Sequence, residues 1–105
     1  MGERTANVQA GDFGETIAML AKTIHDRRIA SLDASYTARL LSEAEDKLLM
    51  KVIEEAAELV LAVKEDDHDH IRYEAGDLLY HLLVLFERAD ISLDELAGEL
   101  NARMH

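Results

Sequence analysis

The chain is 105 residues long, carries a formal net charge of −11, and is 49% apolar. That length fits one small domain with a modest core, and so acidic a balance excludes a surface that tracks a nucleic-acid backbone, because such binding depends on Lys and Arg. The absence of cysteine excludes disulfides and thiolate chemistry, no signal-peptide pattern opens the chain, and no apolar run is long enough to span a bilayer, so a cytoplasmic protein without a membrane partner is expected.

Proline is absent, aromatics reach only 5%, and the apolar positions keep a helical period, which predicts an all-α fold, a bundle of four to five helices. Residues 1–11 are small and polar without a period, and are expected to form a disordered N-terminal segment ahead of a domain over 12–105. Asp12 is the predicted N-cap of a first helix reaching Arg28, with Phe13, Ile17, Leu20, Ala21 and Ile24 on its apolar face. Arg27 and Arg28 close it, as the macrodipole favours. The connector SLDASYTARLL leads into a short helical segment, capped by Asp33 or Ser35 and anchored by Tyr36, Leu40 and Leu41. Ser42 and Glu45 have capping-box spacing, so a long helix is expected to start there and run to about Glu65. The acidic break from Asp66 to His70 reads as a turn, with Asp69 as the cap of the third helix. Ser92 and Glu95 repeat the capping-box pattern before a last helix bearing Leu93, Leu96 and Leu100. In the third helix LLYHLLVLF is apolar almost all the way round. Four short helices would cover it poorly, which predicts a homodimer.

The two long helices place carboxylates where carbon is expected. At about 100° per residue, Leu48, Val52, Leu59 and Val63 make one stripe, with Glu55 inside it and Glu58 at its edge. Ile71, Leu78, Leu82 and Leu85 make the other, bordered by Glu74, Asp77 and His81. A buried carboxylate is costly unless compensated. Glu55, Glu58, Glu74 and Asp77, at ExxE and ExxD spacing on helices that a short turn makes antiparallel, therefore point to a shared cation, and oxygen-only ligation favours magnesium. The alternative is a set of surface salt bridges with Lys47, Lys51 or Arg72.

Lys47 and Lys51, one turn apart, suit the outer oxygens of a polyphosphate beside such a cluster; charge balance with Glu43, Glu54 or Glu55 is the equal alternative. His68 and His70, among Asp66, Asp67 and Asp69, read as a solvated turn, His81 as a satisfied core histidine beside Tyr80, and His25 as a surface residue. No Gly-rich phosphate loop is present and nothing supports a nucleophilic Ser. Any reaction should be metal-assisted attack by water.

Three stretches, SYTARLL at Ser35 to Leu41, EDKLLMKVIEEAAE at Glu45 to Glu58, and EAGDLLYHLLVLF at Glu74 to Phe86, resemble the phosphoribosyl-ATP pyrophosphohydrolases of histidine biosynthesis, within the MazG-like all-α nucleotide pyrophosphohydrolases. The resemblance implies an intertwined homodimer, a small-molecule nucleotide substrate, and magnesium held by Glu55, Glu58, Glu74 and Asp77. It further implies Glu54 or Glu55 as the group that activates water, Lys47 and Lys51 on phosphate oxygens, and Ser35, Tyr36 and Thr37 in substrate recognition. A functional link to a phosphoribosyl-AMP cyclohydrolase is also implied. Ile53, Ala44 and Met50 depart from the Gly, Gly and Lys common in that family, and none of these departures removes a candidate ligand.

Overall fold

A computed structural model describes residues 5–104; the expectation for residues 1–4, and His105, lie outside the described residues. Five α-helices and a 3-10 turn follow in order: α1 (Phe13–Asp26), the turn Arg27–Ile29, α2 (Tyr36–Ser42), α3 (Glu45–Glu65), α4 (His68–Arg88) and α5 (Leu93–Arg103). Local chemistry explains most of the boundaries. Asp12 accepts the Glu15 N–H at 2.8 Å and starts α1. Ser35 accepts the Ala38 N–H at 3.1 Å and starts α2. At α5 the Ser92 and Glu95 capping box is complete.

Two expected caps are corrected. Ser42 does not open α3, because its hydroxyl donates back to the Ala38 carbonyl at 2.8 Å and so belongs to the end of α2; Ala44 precedes α3 without a side-chain cap. Asp67, not Asp69, caps α4 by accepting the His70 N–H at 3.3 Å, so His68 to His70 are helix and not turn.

α3 and α4 are each 21 residues, about 32 Å long. Only Asp66 and Asp67 separate them, Asp66 adopting the left-handed conformation (φ 58°) that ends α3. The two helices therefore run antiparallel and pack along their length. Ile24, Leu40, Leu48, Leu83 and Val84 form the buried core where α1, α2 and the start of α3 meet the C-terminal half of α4. Leu48 is fully enclosed, and its truncation to Ala costs about 2–5 kcal/mol by cavity formation. Phe13, expected on the buried face of α1, is 67% exposed.

The inner face of α3 runs Leu48, Val52, Glu55, Leu59, Ala62, at alternating steps of four and three. Val63, expected inside, is exposed, and Ala62, one residue earlier on the helix, is buried in its place. One residue round, Leu49, Ile53, Ala56, Val60 and Val63 repeat the same spacing on the outer face, and all but the half-buried Ala56 are exposed. A stripe of exposed apolar side chains therefore lies on α3. On α4, where it was expected, every residue from Leu78 to Phe86 is buried or half-buried.

The far end of the α1–α4 pair is tied by charge. Arg28 donates from Nε to the Glu87 carboxylate and from Nη2 to the Glu87 carbonyl, while His25 Nδ1 lies 2.8 Å from the same carboxylate. Burial alone would raise the Glu87 pKa, but the hydrogen bonds with Arg28 and His25 outweigh it and hold the carboxyl below its ordinary range. A depressed carboxyl contributes stability above its unfolded pKa and loses it as pH falls through the folded value. Glu87→Gln should accordingly melt lower than the wild type at pH 7, with the gap closing as pH drops below about 4.3; thermal melts across pH check this, and a gap independent of pH would contradict it.

Candidate active site

The inner face of α3 and the facing flank of α4 bring Glu55, Glu74 and Asp77 together, with one carboxylate oxygen from each lying within 4.8 Å of the others. Glu55 and Glu74 are buried at 7% and 5% exposure, and Asp77 is half-buried. Helical phase explains the meeting. Glu55 replaces carbon at the centre of the α3 stripe, while Glu74 and Asp77, three residues apart, project from one side of α4. Glu58 stands outside this trio, one turn further along α3 and exposed.

Such a cluster is under electrostatic load. Burial raises the Asp77 carboxyl above the usual Asp range, the charge of Glu55, a hydrogen bond with Glu55 and the charge of Glu74 push the same way, and only His81 opposes. Cations offset part of the load: Lys51 Nζ is 3.1 Å from Glu55 Oε1 and 3.9 Å from Glu54 Oε1. The hydrogen bond to Glu55 holds Lys51 more firmly protonated than usual, against some desolvation. The charge-balance reading of Lys51 thus describes a real contact, and the same contact places its ammonium beside the trio. His70, read from sequence as part of a solvated turn, is instead buried, with Nε2 3.0 Å from Glu74 Oε2 and Nδ1 3.3 Å from Glu65 Oε1. Its four-residue spacing from Glu74 was the available signal; the misplaced helix start concealed it. Arg72 pairs with Asp69 at 3.2 Å.

Next to the trio opens a cleft of about 530 Å³ lined by Tyr36, Arg39, Leu40, Glu43, Asp46, Lys47, Met50, Lys51 and Glu54. Leu40 and Met50 give it an apolar side; Arg39, which sequence reading had not singled out, sits 5.6 Å above the Tyr36 ring. Of the SYT segment only Tyr36 faces this cleft. Ser35 is buried and its hydroxyl caps α2, and Thr37 hydrogen-bonds the Tyr80 hydroxyl. Those two order the framework instead of presenting free groups. His81 is buried beside Tyr80, as expected, with ring centroids 4.9 Å apart; its Nδ1 donates to the Asp77 carbonyl at 2.8 Å and Nε2 faces the Tyr36 hydroxyl at 3.4 Å. The cleft and the acidic helix are thereby linked through one histidine.

The model of the phosphoribosyl-ATP pyrophosphohydrolase family matches residues 17–104, which include the trio and the cleft. The chain belongs to the phosphoribosyl-ATP pyrophosphohydrolase family. It is 45% identical over 84 residues to the phosphoribosyl-ATP pyrophosphatase of Nitrosomonas eutropha, covering 80% of this chain and 72% of that protein. It is likewise 45% identical over 84 residues to the phosphoribosyl-ATP pyrophosphatase of Methanococcoides burtonii, over 78% of this chain and 85% of that one. With the histidine biosynthesis bifunctional protein HisIE of Bacillus subtilis it shares 40% identity over 101 residues, covering 96% of this chain but 48% of that protein, so it spans about half the length of the bifunctional relative.

Glu55, Glu74 and Asp77 thus form a cluster whose charges repel one another, and this fixes the expected behaviour of a neutral substitute. A carboxyl with a raised folded pKa contributes stability that is complete below the unfolded pKa, near 3.9, and is lost as pH rises through the folded value. In the presence of chelator Asp77→Asn should therefore melt higher than the wild type at pH 7, at about 4–8 °C per kcal/mol of relief, and the two proteins should converge as pH falls toward about 4. An unchanged or lower melting temperature at pH 7 would mean that Asp77 is a net stabilising partner and not a strained ligand.

Proposed function

We infer that this chain is a phosphoribosyl-ATP pyrophosphatase, hydrolysing the α,β-phosphoanhydride of 1-(5-phosphoribosyl)-ATP to 1-(5-phosphoribosyl)-AMP and pyrophosphate in L-histidine biosynthesis. The convergence of Glu55, Glu74 and Asp77, joined through Lys51 to a cation-bearing cleft, carries the reading. The donor set suits magnesium: oxygen only, mutually repelling, and drawn from two rigid helices. Glu55, Glu74 and Asp77 would hold it, with Glu58 within one helical turn to complete the set. Bound there, magnesium supplies countercharge to phosphoryl oxygens and lowers the pKa of water.

The protein's own groups account for the rest. Lys51 and Lys47 meet phosphate oxygens, and Tyr36 with Arg39 offers a stacked, cationic wall to the nucleoside portion. Glu54 is the better placed of the two candidate bases, because it lines the cleft and is exposed, whereas Glu55 is engaged with Lys51 and Asp77. The attacking water gives its proton to that glutamate as its oxygen bonds phosphorus, and the bridging oxygen departs with pyrophosphate. Positioning and charge neutralisation dominate such a reaction, so no covalent intermediate is required.

The apolar outer face of α3 supports a homodimer. The chain exposes 7611 Å², against about 5,900 Å² for a compact monomer of this mass, and its radius of gyration is 14.8 Å where about 13 Å is typical. Leu49, Ile53, Val60 and Val63, at coiled-coil spacing, form a seam that a second copy can match. No helix among the described residues is long and apolar enough to cross a membrane; a cytoplasmic site of action and a functional link to a phosphoribosyl-AMP cyclohydrolase complete the reading.

Incubation with phosphoribosyl-ATP and magnesium should release pyrophosphate, with free ATP cleaved poorly; Glu74→Gln and Glu54→Gln should each lower kcat at least about 100-fold. Equal cleavage of ordinary nucleoside triphosphates would redirect the reading to another substrate. Sedimentation should give twice the 11.8 kDa chain mass, and Ile53→Asp should shift the protein toward monomer. A wild-type monomer at micromolar concentration would refute the seam.

A further inference from the structure

We propose that His70 is a positioning residue that fixes the Glu74 carboxylate for ion binding, itself held from behind by Glu65. The proposal rests on the metal reading of the Glu55, Glu74 and Asp77 trio, but concerns residues outside that trio. His70 is 6% exposed on the first turn of α4, and both of its ring nitrogens face carboxylates: Nε2 is 3.0 Å from Glu74 Oε2, and Nδ1 is 3.3 Å from Glu65 Oε1. An imidazole has only these two hydrogen-bonding atoms. Nε2 is hydrogen-bonded to Glu74 and Nδ1 lies near Glu65, so groups from both α3 and α4 flank the ring. Asp67 accepts the His70 backbone N–H at 3.3 Å, which fixes the residue at the start of its helix.

The consequence falls on Glu74. A glutamate has three rotatable side-chain bonds, and in the trio its natural tendency is to turn away from Glu55 and Asp77, whose charges repel it. A donor at Nε2 opposes that rotation by anchoring one oxygen, and a carboxylate so anchored still has lone pairs for an ion. Glu65 closes the arrangement across the two-residue turn: it is the last residue of α3, while Glu74 is one turn beyond His70 on α4. The chain carboxylate–imidazole–carboxylate therefore couples the geometry of the α3–α4 turn to the direction of one ligand. A purely structural role, in which His70 only compensates a buried Glu74, makes a different prediction: its loss lowers stability and leaves the folded protein's ion affinity unchanged.

The test uses the full chain and magnesium itself, titrated by calorimetry after removal of metal, with thermal melts in chelator alongside. His70→Leu removes both ring nitrogens; His70→Gln keeps one amide donor near the position of Nε2. Removing a hydrogen-bond partner of a metal ligand typically weakens binding by about 10- to 100-fold, so His70→Leu should lose that much affinity and His70→Gln should recover most of it. If His70→Leu does not fold, His70→Asn, whose amide stops short of Glu74, replaces it in the comparison with Gln. Affinities equal to or tighter than wild type in every variant, whatever their melting temperatures, overturn the inference and leave the metal reading standing. A wild-type protein that takes up no magnesium overturns both.

Discussion

Mutual repulsion among Glu55, Glu74 and Asp77 is the constraint that organises this small protein. At separations within 4.8 Å, and with two of the three groups nearly enclosed, unscreened like charges cost several kcal/mol. A chain of this size has stability of that same order to spare. The surrounding structure can be read as the means by which the cost is contained. Lys51 sits against Glu55, His70 against Glu74, and His81 lies near Asp77. Each acidic group has one basic neighbour, and none of those neighbours removes the carboxylate from the shared space.

The same constraint accounts for how α3 is used. Its inner stripe spends its central position on Glu55 and its distal one on a small Ala62, so the inner face contributes less apolar burial than a helix of 21 residues ordinarily would. The outer stripe is aliphatic throughout, with Leu49, Ile53, Ala56, Val60 and Val63. A helix that gives its interior to charge has to find its hydrophobic stabilisation elsewhere, and on α3 the remaining apolar surface points away from the chain. On the pyrophosphatase and homodimer readings, the charged inner face and the apolar outer face of α3 are two sides of one distribution of side chains.

Much of this was legible in the sequence, and the parts that were not share a cause. Helical period alone identified Glu55 as a charge inside an apolar stripe, and the spacing of Glu74 and Asp77 matched it. The capping box at Ser92 and Glu95 was read correctly. The identical pattern at Ser42 and Glu45 misled, because a serine can bond forward to an amide or back to a carbonyl, and the end of α2 claimed it first. Three closely spaced aspartates offered alternative starts for α4, and choosing Asp69 over Asp67 put His70 outside the helix, which hid its alignment with Glu74. Ser35 was one of two candidate caps for α2, and its hydroxyl does accept the Ala38 N–H; the bond from Thr37 to Tyr80, 43 residues away, is too distant for periodicity to expose. Glu58 shows the converse. Its spacing from Glu55 equals that of Asp77 from Glu74, but Glu55 already sits at the centre of the α3 stripe, so the same step of about 300° leaves Glu58 exposed at the stripe's edge, one turn from the trio.

Charge also bears on how a polyphosphate could approach. The chain as a whole is at −11, and the cleft beside the trio is balanced locally, Arg39, Lys47 and Lys51 standing against Glu43, Asp46 and Glu54. A cleft that is neutral in sum offers position but little net attraction, and the trio beyond it repels phosphate outright. On the pyrophosphatase reading the anionic substrate therefore depends on divalent countercharge at two levels: to enter the field of an acidic protein, and to lie against three carboxylates once inside. Lys51, bonded to Glu55 and lining the cleft at once, marks the boundary between the two. Its ammonium can neutralise the protein's own carboxylate or the substrate's oxygen, and a cation held by Glu55, Glu74 and Asp77 would supply the first countercharge and leave the lysine for the second.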